Sequence, residues 1–151
     1  MKDTTGRGDV SEIQVAAALM RAGQRVLRPI SGGLRYDLLI DNGDGTFSRV
    51  QCKTGLMKDG FIVFRLRNCD ARRPNGVSYR GQIESFGVFC PENGRTYLVP
   101  MSALTTSDST ARLRLRPTRN GQRTGVRLAD EFDISDSSVS RRAAHLAELP
   151  I

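Results

Sequence analysis

The stretch that decides the fold is Arg35-Tyr36-Asp37-Leu38-Leu39-Ile40, followed after a turn by Val50-Gln51-Cys52-Lys53. Tyr36 to Ile40 reads as an apolar strand that carries one acid, Asp37. Asp41-Asn42-Gly43-Asp44-Gly45 is a cluster of turn formers, and Phe47 to Lys53 is the returning strand, so the segment predicts a hairpin. Side chains alternate between the faces of a strand, so Gln51 and Lys53, two residues apart, project from the same face. A hairpin between the two strands gathers Asp37, Gln51 and Lys53 in one place.

Working outward, the upstream segment predicts a helix over about Val10 to Ala22. Val10, Ile13, Ala17 and Met20 recur at helical spacing, Asp9 serves as N-cap and Gly23 ends the element. This helix carries Glu12. Gln24 to Leu27 forms a short strand before a loop at Pro29 to Gly33. Downstream, Phe61 to Leu66 is a strand after a turn at Lys58-Asp59-Gly60, and Asn68 to Gly81 is a basic loop with Arg72, Arg73 and Arg80. Ser85 to Cys90 and Thr96 to Val99 make a second hairpin, and Met101 to Leu104 begins a short helix. Arg112 to Arg116 alternates, with Leu113 and Leu115 on one face and arginines on the other, as in a half-buried strand. A helical patch lies near Ser138 to Leu149. One helix, a run of strands and mixed C-terminal elements predict an α/β (α+β) domain over 1–151 around a largely antiparallel or mixed sheet. From about residue 128 the chain is expected to form an extension that packs or oligomerises.

The bulk numbers exclude several classes. A chain of 151 residues can bury a core without disulfides or metal staples. No segment approaches the roughly 18 consecutive apolar residues of a membrane helix. Met1 to Gly6 lacks the apolar core of a secretory signal, so a cytoplasmic protein with no membrane partner is expected. Cys52, Cys69 and Cys90 are odd in number and form no CxxC pair, which argues for reduced thiols rather than disulfides or a cysteine zinc site. The single histidine, His145, excludes any site that needs two imidazoles, and leaves a Ser/His/Asp triad only one candidate base. Twenty-three Lys and Arg against sixteen acids give a net charge of +7. Such a field attracts polyanions, with nucleic acid the foremost partner.

The residue types gathered on the hairpin suit phosphodiester cleavage. That reaction needs a metal ion, an activated water and relief of negative charge on the phosphate. The Asp37 carboxylate offers hard oxygens to Mg²⁺, the Gln51 amide oxygen is a neutral oxygen ligand, and Glu12 supplies a second carboxylate. The Lys53 ammonium can orient the water or stabilise developing charge. The candidate catalytic set is therefore Glu12, Asp37, Gln51 and Lys53, with Glu12, Asp37 and Gln51 as ligands of Mg²⁺ and Mn²⁺ as a substitute.

The pattern resembles the PD-(D/E)XK nuclease superfamily, with Asp37 as the motif acid and Gln51-Cys52-Lys53 as the (D/E)XK part. The superfamily often places a glutamate on the helix before the sheet, where Glu12 falls. More narrowly, the chain is similar to the intron-encoded homing endonucleases built on this fold and their free-standing microbial relatives, in which glutamine commonly replaces the motif acid. Tyr79-Arg80-Gly81-Gln82-Ile83-Glu84-Ser85-Phe86, Cys90-Pro91-Glu92, Tyr97-Leu98-Val99-Pro100 and Arg116-Pro117-Thr118-Arg119-Asn120-Gly121-Gln122 carry that likeness, over roughly residues 8 to 132. Tyr36 stands where the motif name has proline. The resemblance implies a restriction-endonuclease-like core, a central mixed sheet flanked by helices, and the activity of a metal-dependent DNA endonuclease. One site per subunit implies at least a homodimer for cutting both strands, and a homotetramer accords with the homing branch.

Arg112, Arg114, Arg116, Arg119, Arg123 and Arg127 lie in a stretch with no acid between Asp108 and Asp130, suited to phosphates along a groove. Arg72, Arg73 and Arg80 suit phosphates or guanine edges. Two other readings stay open in the sequence. The same residues would serve a Holliday-junction resolvase acting on branched rather than linear double-stranded DNA. Alternatively, Leu128 to Arg142 resembles the two helices of a helix-turn-helix, with Ser135 capping the recognition helix, which would suit a non-catalytic DNA-binding protein.

Overall fold

The computed structural model describes residues 3–68, 72–73, 76–105, 108–122 and 125–135. It opens with the helix α1, Thr4–Arg21, followed by strands β1 (Arg25–Leu27), β2 (Leu38–Asp41), β3 (Phe47–Thr54), β4 (Leu56–Lys58), β5 (Phe61–Arg65), β6 (Ser85–Cys90), β7 (Arg95–Pro100) and β8 (Thr110–Arg114). Single 3₁₀ turns occupy Met101–Ala103 and Ala129–Glu131. Among the described residues no helix is long and apolar enough to cross a membrane.

The strands form two sheets. The larger has the order β1-β2-β3-β6-β7 and the smaller the order β4-β5-β8. In the larger sheet β1, β2 and β3 pair antiparallel, β6 and β7 pair antiparallel, and β3 and β6 run parallel with Val50 opposite Ser85 and Lys53 opposite Val88. A parallel neighbour requires a long crossover. Here the crossover contains β4 and β5, which build the second sheet on the way. The expected mixed sheet is present. Among the described residues one face of this sheet meets α1 and the other meets the second sheet.

Alternation along the strands assigns the two faces. Leu38, Ile40, Val50 and Phe89 pack with Val15 and Leu19 of α1. Phe86, Val88, Cys90, Tyr97 and Val99 pack with Ile62, Phe64, Ala111 and Leu113 of the smaller sheet. Burying each large apolar side chain of this set contributes on the order of 1.5–3 kcal/mol. Gly55 carries the chain from β3 into β4: a Cβ there would lie 2.9 Å from both Ile62 Cγ2 and Val88 Cγ1. That lack of room lets consecutive strands belong to different sheets.

The helix starts earlier than the apolar spacing predicts. Asp3, not Asp9, is the N-cap, its Oδ1 accepting from the Gly6 amide at 2.9 Å. Gly6 and Gly8 lie inside the element, and each costs about 1 kcal/mol relative to alanine, so the local signal there is weak. The buried stripe is Ser11, Val15, Ala18 and Leu19, whereas Val10, Ile13 and Met20 are exposed. A polar group opens the buried stripe because it has a partner: the Ser11 and Thr54 hydroxyls lie 2.6 Å apart. Gly87 of β6 admits the helix closely, since a Cβ would sit 2.4 Å from Val15 Cγ1.

Candidate active site

Asp37 immediately precedes β2, and its backbone amide donates to the Val50 carbonyl at 2.9 Å. The paired register of β2 and β3 ends at Leu38 and Val50. Beyond it the Cys52 amide donates to Asp37 Oδ2 at 2.8 Å, so a carboxylate takes the place of a strand carbonyl where the two strands part. Burial pushes the Asp37 carboxyl above its ordinary range, opposed by the Cys52 hydrogen bond and by the charges of Lys53 and Arg28.

Glu12 reaches the same region from α1, and its carboxylate pairs with Arg28 Nε at 3.0 Å. Burial raises its pKa, and the neighbouring Asp37 charge adds to the rise against the pull of Arg28. Glu12 and Asp37 together line a polar hollow of about 270 Å³ whose rim includes Arg28, Ser31, Gly32, Gly33 and Tyr36. The hairpin therefore supplies one acid and the helix the other, and the Asp37 charge makes ionisation of Glu12 costlier.

Gln51 and Lys53 project from the face of β3 opposite to Val50, on the side of the smaller sheet. Lys53 Nζ donates to the Tyr79 hydroxyl at 3.2 Å and lies 4.8 Å from the centroid of the Tyr79 ring. Tyr79 is buried and packs edge-on against Phe86. The Arg35 guanidinium lies 4.0 Å from the same ring centroid and donates to the carbonyls of Val77 and Ser78. The Gln51 amide nitrogen approaches the Cys52 carbonyl at 3.5 Å, the outer limit of a hydrogen bond. Cys52 lies between these two residues, with its thiol driven upward in pKa by burial and then by Asp37, so it stays protonated and unreactive.

Of the expected set, Glu12 and Asp37 share one hollow, Lys53 acts electrostatically on Asp37, and Gln51 emerges beside Lys53. Among the described residues no three His, Cys, Asp or Glu side chains gather as a metal cluster, so the acidic part of the site is Glu12 and Asp37 alone. Arg112 and Arg114 lie on β8 in the other sheet, Arg116 and Arg119 are exposed beyond it, and Arg72, Arg73 and Arg80 are exposed in the 67–81 loop. Arg123, Cys69 and His145 lie outside the described residues, as does the helical patch near Ser138 to Leu149. The sequence reading missed Arg28 and Tyr79, the partners of Glu12 and Lys53. Arg28 had only its place after β1 as a signal, and Tyr79 only its place in the Tyr79–Phe86 stretch.

The helix-turn-helix reading does not hold over its first half. Residues Leu128 to Ser135 contain one 3₁₀ turn and two isolated bridges, Leu128 with Arg114 and Asp133 with Tyr97. Ser135, expected as a helix cap, is tied to β7: its hydroxyl accepts from the Thr96 amide at 2.7 Å. Residues 136–142 lie outside the described ones.

A family model described as PD-(D/E)XK endonuclease matches residues 2–135. The chain belongs to this family. It is thus a nuclease of the PD-(D/E)XK type. No curated protein matches this PD-(D/E)XK chain. Among solved structures it is similar to a bacterial homing endonuclease, I-Ssp6803I, with a TM-score of 0.64 and 21% identity over 98% of this chain and 99% of that one. That likeness shows a shared fold over the whole length.

Proposed function

We propose that the protein is a metal-dependent DNA endonuclease of the homing type, in which Glu12, Asp37 and Gln51 hold Mg²⁺ and Lys53 serves the attacking water. The observation that carries this reading is the shared hollow of Glu12 and Asp37, two carboxylates that burial pushes upward in pKa, with the Asp37 charge adding to the rise at Glu12. A divalent cation relieves this cost of ionisation, and the donors offered are the hard oxygens that Mg²⁺ takes, with Mn²⁺ able to replace it. When bound, the cation would lower the pKa of water and neutralise charge on the phosphate.

The chain's own residues do the rest. Asp37 is fixed by the Cys52 amide, so its free oxygen is aimed before substrate arrives. Lys53, held by Tyr79, presents a cation to the water or to the phosphate oxygens. In the reaction the water oxygen bonds to phosphorus as one phosphorus–oxygen ester bond breaks, and the departing alkoxide takes up a proton. Full-length similarity to a homing endonuclease supports linear duplex DNA as the target rather than branched junctions. One site per chain implies that a homodimer or homotetramer cuts both strands.

The test is cleavage of mixed linear and four-way-junction DNA with Mg²⁺, with Mn²⁺ and with EDTA, by wild type, Lys53→Ala and Asp37→Asn. Metal-dependent cutting of linear duplex, lost in both variants while DNA binding survives, is the expected result. Equal rates in wild type and variants would sink the site assignment.

A further inference from the structure

The smaller sheet has an outer face that the core does not use. Ile62, Phe64, Ala111 and Leu113 point inward and are buried. Their alternates along β5 and β8 point outward in paired rows: Phe61 opposite Arg114, Val63 opposite Arg112, and Arg65 opposite Thr110. β4 adds Lys58 beside Phe61 and Leu56 beside Val63. The face thus carries four cations, Lys58, Arg65, Arg112 and Arg114, around an apolar strip of Leu56, Phe61 and Val63. Asp59, in the turn between β4 and β5, is the one acid along residues 56–65, and residues 110–114 contain none.

Two features distinguish this face from an ordinary solvated surface. Arg112 and Arg114 both lie against the Phe61 ring, their guanidinium carbons 5.4 and 5.3 Å from its centroid. Cation–π contacts of this kind limit side-chain freedom and lower the entropy lost on binding. The face also continues from the strand that carries Lys53: β3 passes through Gly55 directly into β4. Lys58 is five residues from Lys53, a span of at most roughly 17 Å along extended chain.

We infer that the outer face of the β4-β5-β8 sheet is the surface that seats duplex DNA, with the paired strands β5 and β8 laid in the major groove and β4 at its rim. The inference rests on the endonuclease reading above and adds to it the recognition element. The major groove, about 12 Å wide, admits a two-stranded ribbon. Arg112 and Arg114 at one edge and Lys58 at the other reach the flanking phosphates, while Phe61 and Val63 meet base edges and methyl groups. Charge selects this occupant: a second copy of the chain would set these cations against like charges, whereas a polyanion complements all four.

The experiment measures binding of the full chain to random-sequence duplex by fluorescence anisotropy in EDTA, across salt concentration. Each phosphate contact contributes about 0.9 to the slope of log affinity against log salt. The fourfold variant Lys58→Gln/Arg65→Gln/Arg112→Gln/Arg114→Gln is expected to lose about 3 to 4 from that slope. Wild-type affinity therefore falls about a hundredfold more than the variant's from about 50 to about 200 mM salt. Arg21→Gln/Arg25→Gln, on α1 and β1, controls for the overall field and keeps the wild-type slope. The substituted positions are exposed, apart from the partly buried Arg114, and an unchanged thermal midpoint confirms folding. An unchanged slope in the fourfold variant, an equal loss per charge in the control, or no DNA binding by wild type would each overturn the inference. Cleavage with Mg²⁺ separates the two readings. A slope loss with no cutting by wild type sinks the nuclease reading alone, and cutting with an unaltered slope in the fourfold variant sinks this one alone.

Discussion

The hydroxyl of Tyr79 accepts a hydrogen bond from Lys53 Nζ at 3.2 Å, while the same ammonium lies 4.8 Å from the Tyr79 ring centroid. One buried side chain thus limits the ammonium in two ways, by a directed bond and by the face of a π-system. Tyr79 is a positioning residue for Lys53. Tyr79→Phe keeps the ring and its packing on Phe86 but removes the acceptor. It is expected to lower kcat for DNA cleavage severalfold to about tenfold, matching a hydrogen bond of about 1 kcal/mol. KM for DNA and the thermal midpoint should stay near wild type. Loss of stability without a change in kcat would mark Tyr79 as a core residue only.

Asp37 has two duties that substitutions can separate. Asp37→Asn keeps an oxygen that can accept from the Cys52 amide, so the fold is retained, while the charge needed to hold a cation is gone. Cleavage should fall to background. The thermal midpoint in EDTA should equal or exceed that of wild type, because burial penalises the carboxylate more than the amide. Asp37→Ala instead leaves the Cys52 amide without its acceptor and should cost about 1–3 kcal/mol in urea unfolding. Asparagine and alanine variants of equal stability would show that the Cys52 bond contributes nothing.

Much of this architecture was legible in local pattern. The Asp37 to Lys53 hairpin, the second hairpin and the first helix all rest on turn formers or on periodic apolar residues, which short segments carry by themselves. What was not legible depends on distant partners. Val10, Ile13 and Met20 have the right spacing for a core stripe, yet the helix buries Ser11, Val15, Ala18 and Leu19, because Thr54 satisfies Ser11 and the glycine at 87 leaves room for Val15. β4 is three residues long and exposed throughout, so it has no alternation to read. The division into two sheets turns on Gly55, whose role appears only once Ile62 and Val88 close over it. Glu12 could be placed on a helix from sequence. Its nearness to Asp37, and its pairing with Arg28, needed the folded chain.

Gly87 tests the contact between helix and sheet. A Cβ at this position would approach Val15 Cγ1 to 2.4 Å and Val50 Cγ1 to 3.2 Å. Gly87→Ala is therefore expected to destabilise by about 1–3 kcal/mol, as overpacking does. Val15→Ala removes the methyl groups that clash, so the double variant should be more stable than the sum of the single losses allows. Additivity in urea unfolding would show that α1 shifts freely to accept the new methyl group.

Arg28 holds the carboxylate that we assign to the cation. It pairs with Glu12 at 3.0 Å, and its charge lowers the pKa of both Glu12 and Asp37. It is the ion-pair partner of Glu12 while Lys53 also acts on Asp37, so cation and guanidinium compete for the Glu12 carboxylate. Arg28→Met keeps much of the side chain's apolar length and removes the charge. Two opposed effects should follow. The Mg²⁺ concentration giving half-maximal cleavage falls severalfold, because no ion pair has to be broken first. The thermal midpoint in EDTA falls as well, because two close carboxylates lose their screen. Arg28 is more than half exposed, so water and salt damp both effects, which should be larger at low ionic strength. An arginine that contacts the DNA phosphate instead would give a different pair of results: an unchanged Mg²⁺ requirement and a raised KM for DNA. Titration of cleavage against Mg²⁺ at fixed DNA, and against DNA at saturating Mg²⁺, distinguishes the two.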